Sequence, residues 1–311
     1  MINQSITPLA MIPIEQLSSK ERAEIEILSF VSSRSEFFSP WGEEQFWKDF
    51  CTVFPYLEEN VTSMKKLFSV GYLEDNFDNV AQVKKRVISG DRLAVGLIIN
   101  KNFSQLPLDV KKKVAFHEIL HFMRLSGCKV ESDSMSPIFY TKIGHNVEKY
   151  DSNYEKIDGF GEGLEEAYVE SMALNAIQIH NNKHDYVSQK HPYASLAYAF
   201  NIIINSGLLN LFEEISNTPI KNSVTFYDRI FDCLYNEPTN EFDYNYNNIC
   251  DAFDNQYFQT MYGYLRGVSL DEMINNGNDS FNSLKFSVID FTRNITNNVS
   301  WLNIDVTGKC K

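Results

Sequence analysis

The chain has 311 residues, 43% of them hydrophobic and 22% charged, with a net charge of −13 at pH 7 and a pI near 5.0. That length and apolar share can bury a substantial core in one large domain or two lobes, and the acidic balance argues against nucleic acid or an anionic membrane as partner. Met1 to Ile14 shows no basic stretch leading into an apolar core and no run of about eighteen apolar residues occurs anywhere, so the expectation is a soluble, cytoplasmic protein, with export by a specialised system left open.

Residues 1–80 read as an N-terminal helical lobe, with helical patterning over about Ile14–Ser33, Trp41–Phe54 and Glu58–Ser69, interrupted at Phe38-Ser39-Pro40 and Pro55. Residues 81–311 read as a second, larger unit, which begins with two strands, Val83–Ile88 and Leu93–Ile99, rich in β-formers and bounded by Gly90-Asp91 and Asn100-Lys101-Asn102. A helix then runs from about Pro107, whose missing N–H costs least in a first turn, to Ser126, with Gly127 as its stop. Phe116, Leu120 and Met123, flanked by Ala115, Ile119 and Phe122, make this helix apolar enough to be buried. Lys111-Lys112-Lys113 near its start reads as a solvent-facing patch.

At the centre of that helix stands His117-Glu118-Ile119-Leu120-His121. Residues four apart share a helix face, so His117 and His121 can direct two imidazoles at one zinc ion, with Glu118 beside them to work on a metal-bound water. Buried imidazoles and a carboxylate need partners, and a metal ion would satisfy all three. The competing explanation is a core helix whose histidines hydrogen-bond to backbone carbonyls.

Lys129 to Asp158 is polar and reads as a long connection that would wall or cover a cleft. The next helix, about Gly161 to His180, places Glu162 and Glu166 on one face, so that one can bind a metal while the other hydrogen-bonds to a liganding imidazole; Glu165 and Glu170 read as its solvated side. Further helices are expected over Tyr193–Asn205, Leu208–Ser216, Thr225–Tyr235, Tyr244–Phe253, Tyr257–Arg266 and Phe281–Asn297, their aromatic stripes serving as core. Five cysteines, Cys51, Cys128, Cys233, Cys250 and Cys310, are odd in number and lack Cys-x-x-Cys spacing, which fits reduced thiols and not zinc ligands.

His-Glu-x-x-His followed by a separate helix bearing Glu-Gly-Leu-x-Glu resembles the gluzincin group of zinc metallopeptidases, over His117–His121 and Glu162–Glu166. The resemblance implies one Zn²⁺ per chain held by His117, His121 and Glu162, with Glu166 hydrogen-bonded to a ligand and Glu118 as general base. Gly161 stands where the group usually has asparagine, which leaves the choice between Glu162 and Glu166 open. The metzincin pattern would need glycine and histidine where Arg124 and Gly127 stand, and the Gly-x-Met-Glu-Asn element of gluzincin aminopeptidases is absent, which favours an endopeptidase. One branch of the group has a catalytic tyrosine at an offset from its glutamate ligand similar to that of Tyr154 from Glu162, which implies Tyr154 as donor to the oxyanion; Tyr150, His145, His184 and His191 compete. In zincins the strand before the motif helix commonly pairs with extended substrate, a role that would fall to Leu93–Ile99 unless that strand is interior.

The expected protein is therefore α+β and predominantly helical, with a zincin-like core: a small sheet, an active-site helix and a glutamate helix. Its expected activity is zinc-dependent endopeptidase on a peptide or protein substrate. A zinc hydrolase acting on another bond and a catalytically silent binding or regulatory protein of the same fold are the alternatives.

Overall fold

The computed structural model describes residues 6–8, 10–25, 27, 30–39, 41–73, 80–88, 92–130, 138–181, 193–217, 241–265 and 279–297. Among these the chain is mixed α+β, with helix the larger share. Two compact units are formed, one of Met1–Thr141, Lys149–Ile157 and Ala173–Asn182, the other of Lys142–Glu148, Asp158–Met172 and Lys183–Lys311.

Strands β1 (Ile6–Pro8) and β2 (Ala10–Pro13) are followed by a single helical turn at Ile14–Gln16, helix α1 (Ser19–Glu24) and strand β3 (Phe30–Ser32). The helix expected over Ile14–Ser33 is thus three short pieces. Ile14, Leu17, Ile25 and Ile27 pack with Ile88 and Ala94 in one small core, a spacing that mimics helical periodicity. Ser18 and Glu21 form a reciprocal capping box that starts α1. Helices α2 (Arg34–Phe37), α3 (Glu43–Val53) and α4 (Glu58–Met64) lead into strand β4 (Val70–Leu73). The first eighty residues therefore supply strands as well as the expected helices.

Strands β5 (Ala81–Ile88) and β6 (Arg92–Ile99) form an antiparallel pair along their full length, from Ala81↔Ile99 to Ile88↔Arg92. On the other side of β6, β2 runs parallel to its first half and β4 parallel to its second half, with β3 antiparallel to β4. β6 is consequently an interior strand, and its continuous apolar run is buried throughout Leu93–Val95 and Leu97–Ile99. With both sides paired it has no backbone groups to offer a substrate. Among the described residues β5 pairs with β6 alone, so β5 is the edge.

Helix α5 (Leu108–Met123) carries the motif. Pro107 is its N-cap residue, not part of the first turn, and the helix stops at Arg124; Gly127 lies inside the following strand, β7 (Leu125–Val130). The lysine triplet is not a solvent patch. Lys111 and Lys113 are buried, Lys111 Nζ donating to the Ser39 carbonyl at 2.6 Å above the Phe103 ring, and Lys112 pairs with Asp49 at 2.9 Å. Long aliphatic stems can lie along the aromatic core while their ammonium groups find oxygens.

That core fixes α5. Phe46, Trp47 and Phe50 on the inner face of α3 are buried, the Phe46 and Phe50 rings lying 5.4 and 6.0 Å from that of Phe116; Phe122 meets Phe68 edge-on at 5.1 Å. Each buried ring contributes on the order of 1.5–3 kcal/mol of transfer free energy.

The stretch expected as a loop, Lys129–Asp158, is largely sheet: β8 (Ile138–Ile143), β9 (Asn146–Tyr150) and β10 (Lys156–Phe160) continue the order β1-β7-β8-β9-β10. Gly144, at φ 52°, begins the two-residue turn between β8 and β9, a conformation that favours glycine. Helix α6 (Glu162–Asn181) matches the expected glutamate helix, and α7 (Ala194–Asn205) and α8 (Leu209–Asn217) follow as anticipated. The two helices expected over Tyr244–Phe253 and Tyr257–Arg266 are one, α9 (Glu241–Leu265), since no breaker separates them; α10 (Asp279–Asn297) follows. The helix expected over Thr225–Tyr235 lies outside the described residues.

Candidate metal centre

His117 and His121 sit one turn apart on α5, each under a tenth exposed. Their Nε2 atoms approach to 3.1 Å with the rings inclined at 75°. Two nitrogens each about 2.0–2.1 Å from one zinc, subtending roughly 100°, would be separated by that distance. Two neutral imidazoles could share a hydrogen bond at the same separation. Two imidazoles so placed offer two of the ligands that zinc takes, and a carboxylate would suit it as a third.

Glu118 follows His117 on α5, about 100° round the helix from it. Its Oε2 accepts the Val83 backbone N–H of β5 at 2.8 Å, which fixes the carboxylate against the sheet edge. Because Val83 N–H is directed away from β6, the backbone groups of Ala81, Lys85 and Val87 face the same outer side of β5, as alternation along an antiparallel strand requires.

Glu162, the ligand the resemblance implied, and Glu166 both stand in the first two turns of α6. Burial first, then the charges of Glu166 and Glu162 and a hydrogen bond to Glu162, push the phenol of Tyr257 on α9 up. Tyr257 in turn accepts from Tyr193, whose ring lies nearly parallel to it. Asp254, one turn before Tyr257 on α9, accepts the N–H of Gly161 and of Gly163 at 2.7 Å each. Burial first, with Glu162 and Asp251 adding repulsion, pushes its carboxyl up to about 6 against the lowering effect of the two amides.

Glu165 and Glu170, expected on a solvated face, are buried, and Glu165 accepts the His145 N–H at 2.8 Å. His145 itself is a core residue: its Nδ1 is hydrogen-bonded to the Tyr246 hydroxyl at 2.8 Å and its ring lies against Tyr168 and Phe212. Tyr150 is buried on β9. Tyr154 occupies the turn after β9 with a left-handed backbone at φ 64° and packs against Phe139. His184 and His191 lie outside the described residues.

Asp254 and Tyr257 escaped the reading of the sequence. A glycine at the start of the glutamate helix signals a cap that must come from elsewhere, but nothing local says from where. Comparison of the chain with protein-family models, with curated proteins and with solved structures finds no match.

Proposed function

We propose that the protein is a zinc-dependent endopeptidase of gluzincin type. The reading rests above all on one observation, the approach of the His117 and His121 Nε2 atoms to 3.1 Å on a helix that carries Glu118 next to the first histidine. In this reading one Zn²⁺ per chain would be held by His117, His121 and Glu162 or Glu166, and would supply Lewis-acid polarisation of a carbonyl and a lowered pKa for bound water. Glu118 takes the water's proton and passes it to the leaving amine, and its anchorage to Val83 N–H keeps the carboxylate oriented for both transfers.

The sequence offers Glu162 or Glu166 as third ligand, Glu162 being the one the resemblance implies. A peptide substrate is supported by β5: an edge strand beside the base can pair with an extended chain through main-chain hydrogen bonds, a role that passes from Leu93–Ile99 to Ala81–Ile88. Tyr154 is proposed as donor to the oxyanion on its offset from Glu162 alone.

The test is to incubate the zinc-loaded protein with a complex protein mixture and map newly formed peptide termini, with Glu118→Gln in parallel. New termini produced by the wild type and not by the variant support the reading. No new termini, or the same ones from both, refute it.

A further inference from the structure

Helix α6 begins without a side-chain cap of its own. Gly161 is its N-cap residue, at φ 74°, and a Cβ there would collide with the His145 carbonyl, so the Ser, Thr, Asn or Asp that normally accepts the free N2 or N3 amide has no room. Asp254 of α9 takes over: one carboxylate oxygen accepts the Gly161 N–H, the other the N2 amide of Gly163. Gly163 is equally obligatory, because a Cβ would strike the Phe253 backbone, and this close approach lets the carboxylate reach both amides. Three residues further along α9, Tyr257 is hydrogen-bonded to Glu162, the residue between the two glycines. Backbone and side chain of the first turn of α6 are therefore gripped by one neighbouring helix.

We propose that Asp254 and Tyr257 are positioning residues that set the first turn of the glutamate helix, and with it the placement of Glu162 and Glu166, the two carboxylates that can serve the metal. Glu162 and Glu166 differ by about 40° around the helix and about 6 Å along it, and both act on the Tyr257 phenol, so the hold of α9 on this turn bears on either of them as ligand. The inference rests on the metal site proposed above and adds to it the residues that hold its glutamate helix.

The experiment uses the full-length chain in three forms, wild type, Asp254→Asn and Tyr257→Phe, and reads zinc affinity by competition with a chromogenic chelator. Amide hydrogen exchange over 161–166 is followed in the metal-free proteins, with Asp254→Ala added. Both substitutions should weaken zinc binding by about 10–100-fold, as loss of a residue orienting a ligand does, while thermal unfolding remains cooperative. In Asp254→Ala the amides of Gly161 and Gly163 should lose protection. A contribution to stability alone would lower the melting temperature and leave chelator-measured affinity at the wild-type value, which would overturn the proposal. If the wild type binds no zinc, the metal reading fails by itself, and the grip of α9 on α6 is then decided by exchange: unchanged protection in Asp254→Ala would overturn that too.

Discussion

Glu118, held by a backbone amide of the sheet edge, is the proposed base, and Glu162 and Glu166 are the proposed third ligand and its partner. Glu118→Gln should therefore keep its zinc and lose hydrolysis by on the order of 10²–10⁴-fold, since an amide cannot accept the water's proton; metal content and initial rates measured on one preparation check both halves. Of Glu162→Ala and Glu166→Ala, one should lose most of the metal and the other weaken binding by about 10–100-fold. Full zinc affinity in both, in a chelator titration, would remove the two glutamates from the site. That His117 and His121 share a helix face was legible in the sequence because spacing on a single helix determines it. The choice between two glutamates one turn apart was not, since spacing treats them alike and the groups that hold their helix, Asp254 and Tyr257, are some ninety residues away in the chain.

Elements whose periodicity served a single packing surface were read correctly, and the others were not. The motif helix and the glutamate helix show their apolar faces plainly. Ile14–Ser33 has helical spacing by coincidence, because its isoleucines and Leu17 converge on Ile88 and Ala94 from three separate pieces of chain. Ile138–Tyr150 lacks the alternation that would mark half-buried strands, its lysines and His145 being mixed with β-formers, and Gly144 was the available turn signal. Phe116, held among Phe46, Phe50 and Phe54, ties the motif helix to α3, so Phe116→Ala should destabilise the fold by about 3–5 kcal/mol in denaturant titration. A smaller element gives a prediction in pH. Hydrogen bonds from the Ser18 hydroxyl and amide, then from Arg92, hold the Glu21 carboxyl at about 2, below its ordinary value of 4.5. A carboxylate with a lowered folded pKa stabilises the fold fully above its unfolded pKa and ceases to do so as pH falls through the folded one. The stability difference between wild type and Glu21→Gln should thus be constant above pH 4.5 and decline toward pH 2, as acid-unfolding curves of the two would record. A difference that grew on acidification would contradict the assignment.

At the scale of the whole molecule, the net charge of −13 disfavours polyanionic partners, and no helix among the described residues is long and apolar enough to cross a membrane. Zinc that binds only the native state should raise the melting temperature in proportion to the logarithm of its free concentration, and chelation should lower it. His117→Ala/His121→Ala should melt at one temperature whatever the zinc concentration. The central claim, that His117, His121 and a glutamate hold one zinc ion, is tested most directly by zinc-edge X-ray absorption on the purified protein, with metal content determined on the same sample. The account predicts one zinc per chain with two imidazole nitrogens at about 2.0–2.1 Å and carboxylate and water oxygens at about 2.0–2.2 Å. A protein that retains no zinc, or one whose bound zinc keeps the same spectrum in His117→Ala/His121→Ala, would contradict it.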